Sequence, residues 1–184
     1  MGGYGSLHIH DVNNNINKNI ISVYSNPASI FNKDQIHNGY GKPLIIIYDN
    51  YTSIYDGSFG IYGDLYRKAM VISKATDRII LGFTESNDDL VGIFLASADK
   101  IITEALYADE EWLIKLDAPL FLKKFNLPFS LNDINDLYST DSVEEFINKF
   151  KLLTNISVYI RFNNLPDKLI LKSSNQYINI YECI

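Results

Sequence analysis

Two runs rich in β-branched and aromatic residues, 79–84 (IILGFT) and 90–96 (LVGIFLA), are separated by only the five polar residues 85–89 (ESNDD). A link that short leaves no room for a crossover helix, so the two runs are expected to pair as antiparallel strands. Residues 69–73 (AMVIS) precede them across the polar tetrapeptide 74–77 and read as a third strand of the same meander. Upstream, residues 44–48 follow the turn cluster 39–43 (GYGKP) and read as a short buried strand. Residues 4–10 alternate, with Leu7 and Ile9 on one face and His8 and His10 on the other. Residues 16–38 fit either short helices or loops.

The pattern changes at Ser97. Ile101, Ile102, Ala105 and Leu106 follow it at helical spacing, with Ser97 as the expected cap. Asp109 is placed to cap a second helix carrying Trp112, Leu113 and Leu116 and stopped near Pro119. Ser130 with Asp133 opens a third, burying Leu131, Ile134, Leu137 and Tyr138. The strongest helix starts at Asp141, where Asp141 and Glu144 resemble a capping box and Val143, Phe146, Ile147 and Phe150 form an apolar stripe. Strands return at 156–162, 168–172 and 177–181, joined by turns at 163–167 and 173–176. The layout predicts an α+β fold in one globular domain, 1–184. A mainly antiparallel sheet, made of the central meander and C-terminal hairpin strands, would flank a helical block over roughly 97–153. Whether the C-terminal hairpin joins the first sheet is left open by the sequence.

Composition removes several classes of function. The net charge of −6 argues against generic nucleic-acid binding, which needs a basic face, and favours a basic partner. The single cysteine, Cys183, permits no internal disulfide and no cysteine-based zinc site. The opening MGGYGSLHIHDV has no basic segment followed by an apolar one, and no apolar run is long enough to span a bilayer. A cytoplasmic protein is expected.

Motifs that suggest chemistry fall short of it. His8 and His10 point to one face of a strand, as a metal pair does, but zinc takes three or four protein ligands and only His37 remains, so the polar face of a strand is the simpler expectation. Gly57, Gly60 and Gly63 suggest a phosphate loop, yet no Gly-Lys-Ser/Thr follows and Asp56 and Asp64 would repel phosphate. Cys183 has no adjacent base, and no Gly-x-Ser-x-Gly elbow exists. The carboxylate pairs Asp88-Asp89, Glu110-Glu111 and Glu144-Glu145 qualify for acid–base work by type alone. Lys115, Lys123 and Lys124 near Phe121 and Phe125 are diluted by Glu110, Glu111 and Asp117 and read as an amphipathic helix face. No catalytic residue, metal or cofactor is expected.

Residues 48–66 (YDNYTSIYDGSFGIYGDLY) hold five tyrosines and three aspartates, with no basic residue before Arg67. Part of this run must be core, but exposed Tyr beside Asp is the composition of a recognition surface. Asp49, Asp56 and Asp64 are the expected steering acids and Tyr51, Tyr55 and Tyr62 the anchors, extended by Glu85, Asp88 and Asp89 if the neighbouring turn is adjacent. Next in line come the acids at 109–111. In kind, the chain resembles the small cytoplasmic immunity proteins that accompany bacterial secreted toxins, including those of contact-dependent inhibition systems. The resemblance rests on this acidic, tyrosine-rich run and on the missing catalytic motifs, and it transfers no residue. It implies inhibition of a cognate toxin, often a basic nuclease, by covering its active or substrate-binding face. An accessory or regulatory binding module is the next reading, and an enzyme with an unrecognised site the third.

Overall fold

A computed structural model describes residues 3–10, 16–25, 43–55, 62–86, 90–125, 130–140, 142–158, 169–174 and 179–183. Its centre is a nine-stranded sheet: β1 (Gly3–His10), β2 (Leu44–Ile47), β3 (Tyr51–Tyr55), β4 (Ile80–Ser86), β5 (Leu90–Ala96), β6 (Ile101–Ala108), β7 (Glu111–Ile114), β8 (Leu169–Ser174) and β9 (Asn179–Cys183). The spatial order is β7-β6-β5-β4-β1-β3-β2-β9-β8. Every described pairing is antiparallel except β2 with β9. The C-terminal hairpin therefore joins the main sheet, alongside β2.

Helices cover both faces, as alternation within the strands dictates. Leu7 and Ile9 of β1, Ile54 of β3, Ile80 of β4 and Phe94 of β5 share one cluster with α1 (Ile16–Ser25) and α2 (Tyr62–Thr76). Leu81, Phe83, Val91, Ile93 and Leu95 face the other way, onto α3 (Ala118–Phe125), α4 (Leu131–Leu137) and α5 (Val143–Thr154). The fold is α+β, with five helices and a mostly antiparallel sheet among the described residues. No helix among the described residues is long and apolar enough to cross a membrane.

Three local expectations change. Residues 69–73 are helical, inside α2, because Leu65, Ala69 and Ile72 form a buried stripe at spacings of four and three. That stripe begins within the tyrosine-rich run, so a window starting at Ala69 shows only its β-branched end. Asp77, at φ 55°, then ends the helix in the left-handed conformation. Residues 101–108 are a strand: Ser97 closes a hairpin turn, its amide donating to the Lys100 carbonyl at 2.9 Å, instead of capping a helix. Asp109 likewise caps nothing. It and Glu110, at φ 52° and 64°, form the two-residue turn between β6 and β7. The helical block accordingly begins at Ala118.

Pro119 lies in the first turn of α3 and does not terminate a helix, since its missing N–H has no partner to lose there. The Asp117 carboxylate accepts the Leu120 amide at 3.0 Å and caps that helix. The Ser130–Asp133 capping box forms as expected, and the Ser130 amide and hydroxyl hold the Asp133 carboxyl below its usual range. The cap of α5 is Ser142, one residue after the expected Asp141, which lies outside the described residues. Of the expected strand 156–162, residues 156–158 take no regular structure and the remainder lies outside the described residues.

Both edge strands are irregular. Between β6 and β7, Tyr107 and Leu106 oppose Trp112 and Ile114, so Leu113 is an extra residue. Between β9 and β8, Tyr181 and Ile180 oppose Leu171 and Ser173, so Lys172 is extra. Bulges at both edges twist the backbone away from a flat ladder, a common defence against edge-to-edge aggregation.

Candidate functional site

The tyrosine-rich run divides between strand and helix, and β3 explains its first half. Tyr51, Ser53 and Tyr55 alternate onto the α3–α5 side of the sheet. Tyr51 and Tyr55 are 7 % and 6 % exposed, so they are core residues and not surface anchors. Their hydroxyls are satisfied internally: Tyr51 donates to the Asn155 carbonyl at 2.8 Å and Tyr55 to the Ser157 carbonyl at 2.6 Å. Tyrosine is suited to holding a peptide, having an apolar ring and a polar tip. Here the peptide is the chain's own segment 155–158, laid across β1 and β3.

His8 is the hub of the same contact. The Ser6 hydroxyl donates to the Val158 carbonyl at 2.6 Å, which commits its proton. Ser6 Oγ must then accept from His8 Nε2 at 2.9 Å, leaving Nδ1 to accept from the Ser53 hydroxyl at 2.7 Å. The order of donors thus fixes a neutral imidazole protonated on Nε2. Burial pushes its pKa from 6.5 down to about 3. The rings of Tyr51 and Tyr55 meet it edge-on at 6.4 and 6.0 Å. The Ser53–His8 distance matches an activated nucleophile, but Ser6, His8 and Ser53 are all inaccessible to solvent. The strand face expected to be polar thus buries His8 in a polar cluster and leaves His10 partly buried. Both ring nitrogens of His8 are occupied, His10 packs against Phe125 with centroids 6.2 Å apart, and no metal-ligating group of three exists among the described residues.

The remaining candidates do not form one patch. Asp64, in the first turn of α2, pairs with Arg67 at 3.2 Å and with the buried Lys68 at 3.1 Å, so its charge is matched within the helix. Tyr62 begins that helix. Asp49 is exposed in the β2–β3 turn, beside the stacked pair Tyr48–Tyr51. Glu85 is half-buried near the end of β4, opposite Val91. Asp56, Asp88 and Asp89 lie outside the described residues. The register puts Asp49 and Glu85 at opposite ends of the sheet: Tyr51 pairs with His10 and Ile9 with Ile80 at one end, Tyr4 with Glu85 at the other.

An exposed acidic surface does occur on the β6–β7 hairpin, at the Glu85 end. Asp109, Glu110 and Glu111 are consecutive and exposed. Beyond them Leu113 and Ile114 are 51 % and 41 % exposed, an apolar pair on an edge strand. Trp112 holds the hairpin down, with ring contacts to Tyr107, Tyr138 and Phe146 at 5.3, 4.8 and 4.9 Å. Tyr138, whose hydroxyl accepts the Leu116 amide at 2.8 Å, has its pKa pushed up to about 12 by burial, and Lys115 lies over its ring at 5.4 Å. The bulge leaves Leu113 exposed while Trp112, partly buried, packs against the core. The sequence conceals this hairpin because Asp109-Glu110 lacks the glycine or asparagine of most such turns. No known protein family, curated protein or solved structure matches the chain.

Proposed function

We propose that the chain is a binding protein for a basic protein partner, and that the tip and outer side of the β6–β7 hairpin form its contact surface. One observation carries this reading: three consecutive exposed acids adjoin an exposed apolar pair, and two of the acids occupy left-handed backbone positions that glycine or asparagine would fill with less strain. Residues chosen for stability alone would differ there. Acids beside an apolar patch fit a partner whose lysines and arginines surround an apolar contact. The net charge of −6 adds long-range attraction. A nuclease exposes such cations to bind phosphate, so a cytoplasmic immunity protein that covers a toxin's substrate face is the specific form of the proposal. It keeps the class of partner expected from sequence and moves the contact from residues 48–66 to residues 109–114.

The test is kinetic. Once a partner is captured, neutralising the turn (D109N/E110Q/E111Q) is expected to slow association about tenfold at low salt and to flatten its salt dependence. Leu113→Ala or Ile114→Ala is expected to speed dissociation instead, by about tenfold if either side chain is an anchor. A partner whose binding ignores all five positions, with each variant still folded, would overturn the assignment.

A further inference from the structure

The contact between residues 155–158 and the sheet is built around an uncharged imidazole: Ser6, Tyr51 and Tyr55, which hold the segment, all meet the ring of His8. The segment forms neither helix nor strand. Asn155, at φ 56°, ends α5 with its amide on the Lys151 carbonyl at 2.8 Å and turns the chain onto β1 and β3. From there side chains hold three carbonyls: Tyr51 that of Asn155, Tyr55 that of Ser157, and Ser6 that of Val158. Ile156 and Val158 complete the attachment as buried apolar contacts.

We propose that this clasp is an acid-released latch, in which protonation of His8 lets residues 155–158 lift from β1 and β3 while the rest of the sheet stays folded. The first reason is the hydrogen-bond order. A protonated ring has a donor at Nδ1, where the Ser53 hydroxyl now donates, so that hydroxyl must reverse to accept and its proton loses the acceptor it has in the neutral state, while Ser6, bonded to the same ring, is one of the three groups that hold the segment. The second reason is that, among the described residues, no nearby group offsets the charge. From β1, Ser6 and, two residues on, His10 share the face of His8. From β3 come Tyr51, Ser53 and Tyr55, and from β4 its register neighbour Leu81. Among the described residues no carboxylate bonds to the ring, so a cation there is left to hydration, which requires the site to open.

The third reason is the route that water would take. β1 is fixed on both sides by backbone ladders to β3 and β4, whereas residues 155–158 are tied by side chains and two apolar contacts. Local opening follows the weakest cover. Burial lowers the pKa of His8 from 6.5 to about 3, so the opening constant of any state that exposes the ring rises about 70-fold between pH 6 and pH 4.

Amide hydrogen exchange on the full chain, followed by NMR between pH 4 and pH 6 and corrected for intrinsic rates, tests the latch. The Ile156 amide, bonded to Thr154 Oγ1 at 3.0 Å, reports the segment, and the Phe83 amide in β4 reports the sheet. Ile156 is expected to open at least tenfold more often than Phe83 at every pH, and its opening to rise about 70-fold from pH 6 to pH 4. In His8→Gln that rise should vanish. Equal opening at the two amides would mean that release occurs only with global unfolding. An opening at Ile156 that is flat with pH would mean that it does not expose His8. Either result in the wild-type chain overturns the proposal, whether or not the variant folds.

Discussion

Glu110→Gly should make the protein more stable, and the reason is geometric. Glu110 sits at φ 64° in the second position of a two-residue turn, directly after Asp109 at φ 52°. An L-residue there brings Cβ close to the following carbonyl oxygen, which raises its free energy by about 1–2 kcal/mol, and glycine removes that contact. Glycine also gives the unfolded chain more freedom, which returns about 0.4–1 kcal/mol. The net expectation is a gain of about 0.5–1 kcal/mol. Two controls separate backbone from charge. Glu110→Gln keeps the strain and removes one of three adjacent negative charges, so any gain it shows is electrostatic. Glu111→Gly places glycine at the first residue of β7, where it should lower stability by about 0.5–1 kcal/mol. Urea denaturation at neutral pH and fixed ionic strength measures all three. If Glu110→Gly destabilises as much as Glu111→Gly, the turn is not left-handed at both positions and the strain argument behind the proposed surface fails.

Other outcomes follow from the core. Alanine at Gly82 would drive a Cβ into Phe94 Cζ, beneath a buried ring that is also wedged edge-on against Tyr66 with centroids 4.5 Å apart. The expected loss is about 1–3 kcal/mol, partly recovered when Phe94→Leu is added, and a melt within 0.5 kcal/mol of wild type would contradict the packing. Phe146→Ala, from the stripe of α5, should lose about 3–5 kcal/mol, whereas exposed Glu145→Ala should stay within about 0.5 kcal/mol; equal effects in denaturant would mean a misplaced helix face. His8 binds a proton near pH 6.5 in the unfolded chain but only near pH 3 in the fold, so its contribution is complete above about pH 6.5 and is lost as the pH falls toward 3. The full difference is on the order of 5 kcal/mol, of which about 3 kcal/mol develops between pH 7 and pH 4 as the gap between wild type and His8→Gln in urea melts, and parallel curves would refute it.

Much of the fold is legible where local pattern and tertiary setting agree. Residues 80–86 and 90–96 form the expected hairpin, and the Ser130–Asp133 box and the Phe146–Phe150 stripe mark their helices. Legibility fails where one stretch satisfies two periods. Residues 101–108 carry apolar side chains at helical and at strand spacing, and the open edge of β5 decides in favour of strand, which no local window contains. Residues 69–73 fail for the opposite reason, their helical stripe starting four residues earlier at Leu65. The setting of the tyrosines is not legible in the sequence. Tyrosines in 48–66 do grasp a peptide segment, but their partner is residues 155–158, about a hundred positions away in sequence. That pairing arises from sheet order and leaves no local trace. The acids at 109–111 were visible as acids, and only the backbone at Asp109 and Glu110 reveals that they crown a hairpin.

The central claim is that a basic partner is bound through the β6–β7 hairpin and not through the segment rich in tyrosine. The most direct measurement compares association rates for a captured partner between two charge-matched variants, D109N/E110Q at the hairpin tip and D49N/D64N at the sites expected from sequence. Each pair removes two negative charges, so the long-range attraction of the whole molecule changes equally. The hairpin variant is predicted to associate several-fold more slowly than the other, and the difference to shrink as salt is raised. Equal rates, or a larger loss in D49N/D64N with its fold intact, would contradict the account.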